Sequence, residues 1–367
     1  MHDLILSDLR LVHFKNHTSI DFSFSPKLNA LVGLNGAGKT TILDAIHVLC
    51  MTKSYFHNSD AYNIQFNAPF FVLEGKMNIE EVQTPIYCGL KKGEKKVFKT
   101  DDSEYAKLSD HLGRFPVVMI SPYDRNLITD GSEARRKFMD SVISQTNKGY
   151  LKALLSYNRS LSQRNALLKY FAANRTFDGS MLQVYDEQLA LNSKIIYSSR
   201  LSFVRDFEPI LKKYYAWMAG EKELVGIDYK SSLHENSMEN LLRENLEKDK
   251  VLQYTSKGIH REDLIFNLHQ EPINRVGSQG QQKSFVVALK LAVFDSLKLS
   301  LGNKKPILLL DDIFDKLDSN RVEGLIRLVN EHHFGQIFIT DTHSERTEFM
   351  IKSVNEEAKV FDLSTNE

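Results

Sequence analysis

Cysteine is scarce in this chain. Its 367 residues include two, Cys50 and Cys88. They lie far apart and lack CxxC spacing, which argues against a zinc site and a disulfide framework. Net charge is missing too: 47 basic and 47 acidic side chains give a formal charge of +0. No global positive field therefore draws in nucleic acid, and any such site must be a local patch or be assembled from more than one subunit. No apolar run approaches a membrane span, and no N-terminal signal pattern appears, so a cytoplasmic protein is expected. Internal repeats, low-complexity tracts and sustained heptads are absent as well, which excludes an extended coiled coil. What is present is ordinary for a globular protein, 42% hydrophobic and 26% charged residues. The length permits a large core and more than one domain.

The most informative stretch is Gly33-Leu34-Asn35-Gly36-Ala37-Gly38-Lys39-Thr40, which matches the P-loop pattern G-x-x-x-x-G-K-[ST]. LNALV before it reads as a short buried strand, and TILDAIHVLC from Thr41 reads as a helix. Glycines let the backbone curl and aim N–H groups at an anion. The helix start adds partial positive charge. Lys39 supplies a point charge for the β- and γ-phosphates of a nucleotide, and the Thr40 hydroxyl is placed for Mg²⁺.

Alternating segments at 4–14 and 19–24 read as strands, with Lys15-Asn16-His17 at the turn between them. Further strands are expected at 70–75, 84–90, 95–99 and 117–120, with a hairpin turn near Lys92-Gly93 and a loop at 52–58. From about 131 to 215 the helical period dominates, with Pro209 as the one proline. Residues 232–249 are charged and weakly apolar and read as an exposed helix. The α/β signature returns with strands at 307–310 and 336–340, both short apolar runs suited to burial on two faces. The expected organisation is a head made of 1–125 and 265–367, a mixed sheet plus a parallel core sheet, with a compact helical arm, 126–264, inserted in it.

Pro306-Ile307-Leu308-Leu309-Leu310-Asp311-Asp312 fits a Walker B strand, whose acidic end lies at the carboxyl edge where open α/β sheets bind ligands. In that reading Asp311 holds Mg²⁺ and Asp312 polarises the attacking water. Without the P-loop the same residues are equally a strand ending in a solvated acidic turn. Val276-Gly277-Ser278-Gln279-Gly280-Gln281-Gln282-Lys283 precedes a long helical run. Physics alone makes this an ordinary capped helix as readily as a second phosphate site.

In this order, P-loop, insertion, serine-glycine-glutamine motif and Walker B, the chain resembles ATPase heads of the ABC class. Within that class it is most similar to the RecF family, which has an SMC-like head. The resemblance covers essentially the whole chain. It rests on Leu11-Val12-His13-Phe14-Lys15-Asn16, on the stretch from Ser121-Pro122-Tyr123-Asp124 to Arg135-Arg136-Lys137-Phe138-Met139-Asp140, on Gly277 to Lys283, and on the Asp311-Asp312 pair. Lys316-Leu317-Asp318 looks like the class's D-loop. The resemblance implies an α/β ABC-class head that binds ATP and Mg²⁺. Gly33, Asn35, Gly36, Ala37, Gly38, Lys39, Thr40, Thr41, Lys15, Asn16 and Gly280 would contact the nucleotide, with Gln65 as Q-loop candidate and otherwise a surface residue. Lys39, Asp311 and Asp312 would act in cis, Ser278 in trans from a second copy, and His343 as switch histidine, otherwise a loop residue. Gln279 stands where serine or glycine is common in related signatures.

The function so implied is ATP-dependent dimerisation on duplex DNA or single-strand/duplex junctions at gaps, with slow DNA-dependent ATP hydrolysis controlling release. Recombinase loading, the SOS response and the partners RecO and RecR follow from the same resemblance. Candidate DNA contacts are Lys91, Lys92, Lys95, Lys96 and Lys99, then Arg135, Arg136 and Lys137, then Lys148, Lys152, Arg159 and Arg164; each cluster is equally a solvated face. A transporter's nucleotide-binding subunit and an SMC-like chromosome organiser are the rival readings. The inserted arm, the Asp-Asp pair and the lack of a long coiled coil stand against them.

Overall fold

The structure, a computed structural model, describes residues 4–80, 82–313, 324, 327–328, 333–342, 351 and 357–364. The chain runs through β1 (Ile5–Phe14), β2 (His17–Ser23), β3 (Leu28–Val32), α1 (Lys39–Met51), β4 (Phe70–Ile79), β5 (Val82–Lys91), β6 (Val97–Thr100), β7 (Ser103–Glu104) and β8 (Val117–Ile120). There follow α2 (Asn126–Thr129), α3 (Ser132–Thr146), α4 (Lys148–Asn174), α5 (Gly179–Ala219), β9 (Val225–Lys230), α6 (Met238–Glu244) and α7 (Leu246–Leu252). The last described elements are β10 (Asp263–Leu268), β11 (Glu271–Pro272), α8 (Ile273–Val276), α9 (Gln279–Ser300), β12 (Ile307–Leu310), β13 (Ile337–Asp341) and β14 (Ala358–Asp362). Two compact units result, Met1–Asp124 with Lys290–Glu367, and Arg125–Leu289.

The first unit holds two sheets. One is five-stranded, in the order β14-β3-β13-β12-β8, and its pairs are parallel. LNALV, VVMI and ILLL are buried at every position, as strands covered on both faces must be. The other sheet is six-stranded and antiparallel, in the order β2-β1-β4-β5-β6-β7, with alternating burial along β4 and β5. Helix α1 is apolar over most of its surface, and its polar Asp44 and His47 are buried with the rest. Twelve of its thirteen residues are buried, and it packs on β1, β4 and β5 from one sheet and on β8 and β13 from the other. Gly75 of β4 makes this approach possible: a Cβ there would lie 2.7 Å from Leu49 Cδ1 of α1. Buried Gln336 ties the sheets together, accepting from Leu6 N–H at 2.7 Å and donating to the carbonyls of Leu6 and Ser25 at 2.8 Å. Its buried amide is thereby satisfied.

In the second unit α4 and α5 pack along each other. Asn147 and Asp178 cap them by accepting from the Tyr150 and Ser180 N–H groups, as short polar side chains do at N-caps. Arg164 is fully buried; it donates to Asp186 at 2.6 Å, Asp249 at 2.7 Å and Thr255 at 2.9 Å. Arg200, 2% exposed, donates to Asp140 at 2.6 Å, Glu262 at 2.5 Å and the Ile259 carbonyl at 3.0 Å.

This unit also contains strands the sequence reading left out, a three-stranded antiparallel sheet in the order β11-β10-β9. The expected exposed helix over 232–249 is instead a 3₁₀ turn followed by α6 and part of α7, with Met238, Leu241, Leu242 and Asp249 buried. The reading returned the chain to the head at 265, in the middle of β10. Register pairing of β10 with β9, from Asp263↔Lys230 to Leu268↔Val225, keeps that strand in the second unit, and the division falls inside α9. No described helix is long and apolar enough to cross a membrane.

Candidate functional site

The P-loop joins β3 to α1 at the carboxyl edge of the parallel sheet. Gly36 and Gly38 both adopt φ +89°, left-handed backbone that costs glycine little and other residues more. Gly38 is also sterically closed, because a Cβ there would overlap the His17 ring and lie 2.7 Å from Asn16 Nδ2. The turn between β1 and β2 thus braces the loop. Asn16 Nδ2 donates to the Gly36 carbonyl at 3.3 Å, and Asn16 Oδ1 accepts from the Thr41 hydroxyl at 2.7 Å. His17 Nε2 lies 3.2 Å from the Gly38 carbonyl. Burial lowers the His17 pKa, and this backbone bond partly opposes the shift. Lys15 faces inward, its ammonium 2.5 Å from buried Asp44 of α1. Leu34, Asn35 and Gly36 are exposed at the loop's crest.

Buried Lys39 donates to the Gly33 and Leu34 carbonyls at 2.5 and 3.0 Å. Desolvation lowers its pKa, while Asp312, Asp341 and Asp311 pull the other way. Asp311, 3% exposed at the end of β12, accepts from Thr40 at 2.8 Å, Thr340 at 3.0 Å and Ser121 at 3.2 Å. Burial raises its pKa against those hydroxyls, and Asp312 adds to the rise. Asp312 sits at φ +51° with its N–H on the Thr340 hydroxyl at 2.9 Å. Thr340 therefore fixes both aspartates, one as donor and one as acceptor.

Ser121, Thr340 and Asp341 were not among the candidate residues. Their signal was positional: each stands at the carboxyl end of a strand of the parallel sheet or directly after it. Behind Ser121 lies a further buried network. Asp124 accepts from the Ser121 N–H at 2.7 Å and pairs with Lys290 at 2.8 Å, and Tyr55 donates to Asp124. The Ser-Pro-Tyr-Asp stretch thus backs the carboxylate at the sheet edge.

Other candidates fall elsewhere. Gln65 bonds to His13 of β1 at 3.0 Å and to Thr18 of β2 at 3.0 Å. Ser278, Gln279 and Gly280 are exposed in the second unit. Ser278 and Gln281 form a reciprocal capping box at the start of α9, with bonds of 3.2 and 2.8 Å. Lys316, Leu317, Asp318 and His343 lie outside the described residues.

Many of the basic residues read as DNA contacts have partners within the protein. Arg135 makes a bidentate pair with Asp263 at 2.8 and 3.0 Å, and Arg136 donates to the Glu262 carbonyl at 2.6 Å, so both clamp α3 to β10. Arg164 is the buried network centre described above. Lys91 pairs with Glu94, Lys96 with Asp60, and Lys137 with Glu133.

Known proteins carry the same arrangement. The family model described as RecF/RecN/SMC N terminal domain matches residues 5–364. The DNA replication and repair protein RecF of Flavobacterium johnsoniae is 49% identical over 358 residues, 98% of this chain and 99% of the relative. That of Phocaeicola vulgatus is 43% identical over 365 residues, 99% of this chain and 98% of the relative. A solved structure of the recombination mediator protein RecF with ATP in the RecFOR pathway superposes with a TM-score of 0.88 at 29% identity, covering 93% of each chain. With a P-loop, an aspartate pair and a two-sheet head in that arrangement, the chain belongs to the RecF family of DNA replication and repair proteins, built on an SMC-type ATPase head.

Proposed function

We propose that the chain is an ATP-dependent, dimerising DNA-binding protein whose ATP hydrolysis is slow and DNA-dependent. The observation that carries this is the 2.8 Å bond between Thr40 of the P-loop and Asp311 at the end of β12. It joins the two motifs that must share one nucleotide. Lys39 neutralises the β- and γ-phosphates, and the N–H groups of Gly33, Asn35, Gly36, Ala37, Gly38, Thr40 and Thr41 cradle them. Thr40 and Asp311 hold Mg²⁺, since hydroxyl and carboxylate oxygens suit a hard cation that keeps waters and phosphates as its other ligands. No described group of three or more His, Cys, Asp or Glu is placed to hold a metal alone, and this mode needs none. The ion adds charge neutralisation at the phosphates. Asp312 orients the attacking water.

Ser278 of a second copy completes the site in trans, so ATP favours the closed dimer and hydrolysis releases it. In the cytoplasm the dimer recognises duplex or junction DNA at gaps and promotes recombinase loading in recombinational repair and the SOS response, together with RecO and RecR. The place of the solved RecF relative in the RecFOR pathway supports those partners.

Sedimentation with no nucleotide, ADP or ATP, each with and without a gapped duplex, tests the clamp. ATP should drive dimerisation. Ser278→Arg should block it while leaving ATP binding intact. Ser278→Asp keeps a good helix cap yet sets a carboxylate against the phosphate, and should block it too. A protein monomeric throughout, or variants that dimerise normally, would sink the trans arrangement.

A further inference from the structure

We propose that a basic pocket in the second unit, apart from the clusters read from sequence, is a track for nucleic-acid phosphates. The pocket has a volume of about 510 Å³ and is lined by Lys230, Lys248, Lys257 and Arg261 with three serines, Leu252 and Tyr254, and by no carboxylate. Lys230 ends β9, Lys248 stands on α7, and Lys257 and Arg261 lie on the segment before β10. All four cations are exposed, and none makes an ion pair with a described residue. Arg261 instead lies over the Tyr254 ring, 5.0 Å from its centroid.

Two buried networks hold the floor. Ser256 donates to Asp249 at 2.6 Å, and Asp249 is bound by Arg164. Ser231 donates to Glu262 at 2.5 Å, and Glu262 is bound by Arg200. The protons of those two serines therefore point inward, and the cations are the principal donors at the mouth. Like charges on three separate segments repel one another, so their convergence without an acidic partner fits an external polyanion.

Magnitudes decide the class of ligand. Exposed cations each add little to holding a small anion in water. A ligand with several phosphates at fixed spacing engages all four and releases counterions at each contact. The occupant is therefore a nucleic-acid backbone rather than a single phosphate. Contacts of this kind fix position and do not read bases. The inference deepens the DNA-binding reading above and rests on it.

The test is equilibrium binding of the full chain with ATP to a gapped duplex, across a salt series, for wild type and Lys248→Ala/Lys257→Ala. Each cation lost should lower the slope of log affinity against log salt by about 1 and weaken binding roughly tenfold near 0.1 M salt. The double variant should show both losses at unchanged ATP affinity and unfolding midpoint. Lys248→Arg/Lys257→Arg should bind as wild type does. Inorganic phosphate at matched ionic strength should not displace the duplex. An unchanged slope in the alanine variant, or displacement by phosphate alone, overturns the track and leaves the DNA-binding reading standing. A wild type that binds no DNA overturns both.

Discussion

The head and the arm both bury charge, but they use it differently. In the arm, Arg164 and Arg200 are surrounded by carboxylates that are themselves buried or half-buried. Those pairs join α3, α4, α5, α7 and the segment before β10, and their partners are fixed. At the sheet edge of the head, Lys39 rests on two backbone carbonyls while three aspartates sit nearby. Bonds to carbonyls are weaker than bonds to phosphate oxygens, so that lysine is able to change partner. The contrast teaches that burial of a charge does not by itself mark a working site. What marks it is a charge whose present partners are poorer than those a ligand offers.

The comparison breaks most visibly through substitution. Arg200→Met should destabilise the arm by about 3–5 kcal/mol, because Asp140 and Glu262 would lose their buried partner, read as a fall in the denaturant midpoint. Lys39→Met should leave that midpoint nearly unchanged and lower ATP turnover by roughly 10²–10³-fold. Reversed outcomes would overturn the distinction.

A smaller effect concerns a feature the two units share. His47 in the head and His260 in the arm are each pushed down to about 4, chiefly by burial. His260 is fixed neutral, its Nε2–H on the Thr255 carbonyl at 2.9 Å and its Nδ1 facing the Tyr157 hydroxyl at 2.8 Å. Their ordinary value is 6.5, so the unfolded chain binds more protons between pH 6.5 and about 4. Their contribution is complete above pH 6.5 and is lost as pH falls toward 4. Thermal scans over that range should show both units weakening, and His47→Gln should flatten the head's response alone. The smallest effect belongs to Lys137→Ala, whose pair with Glu133 is exposed; no measurable shift of the unfolding midpoint is expected.

Much of the head was legible in the chain. The P-loop lies between the strand and the helix its spacing called for, and the apolar runs at 117–120 and 307–310 are β8 and β12. These signals are local. The three-stranded sheet of the arm was not read, although VGIDYK carries a period of two with Val225, Ile227 and Tyr229 buried. It is short and follows 41 helical residues of α5, and the helical pattern dominated. The internal partners of Arg135 and Arg164 were hidden for a different reason. Arg135 meets Asp263 across 128 positions, and Arg164 meets Asp249 across 85. No window of sequence shows such partners. The roles of Ser121 and Thr340 were hidden likewise, since a strand-end hydroxyl acquires meaning only when strands distant in sequence become neighbours.

Helix α1, enclosed by two sheets, has a consequence for motion. Its central amides can exchange with solvent only when one sheet lifts away, so they belong with the most protected part of the head. The phosphate loop is therefore continuous on its C-terminal side with a segment that does not breathe locally. Adjustment to a ligand falls to the crest at Leu34, Asn35 and Gly36, while Lys39 and Thr40 are presented from a foundation whose opening is nearly that of the whole unit.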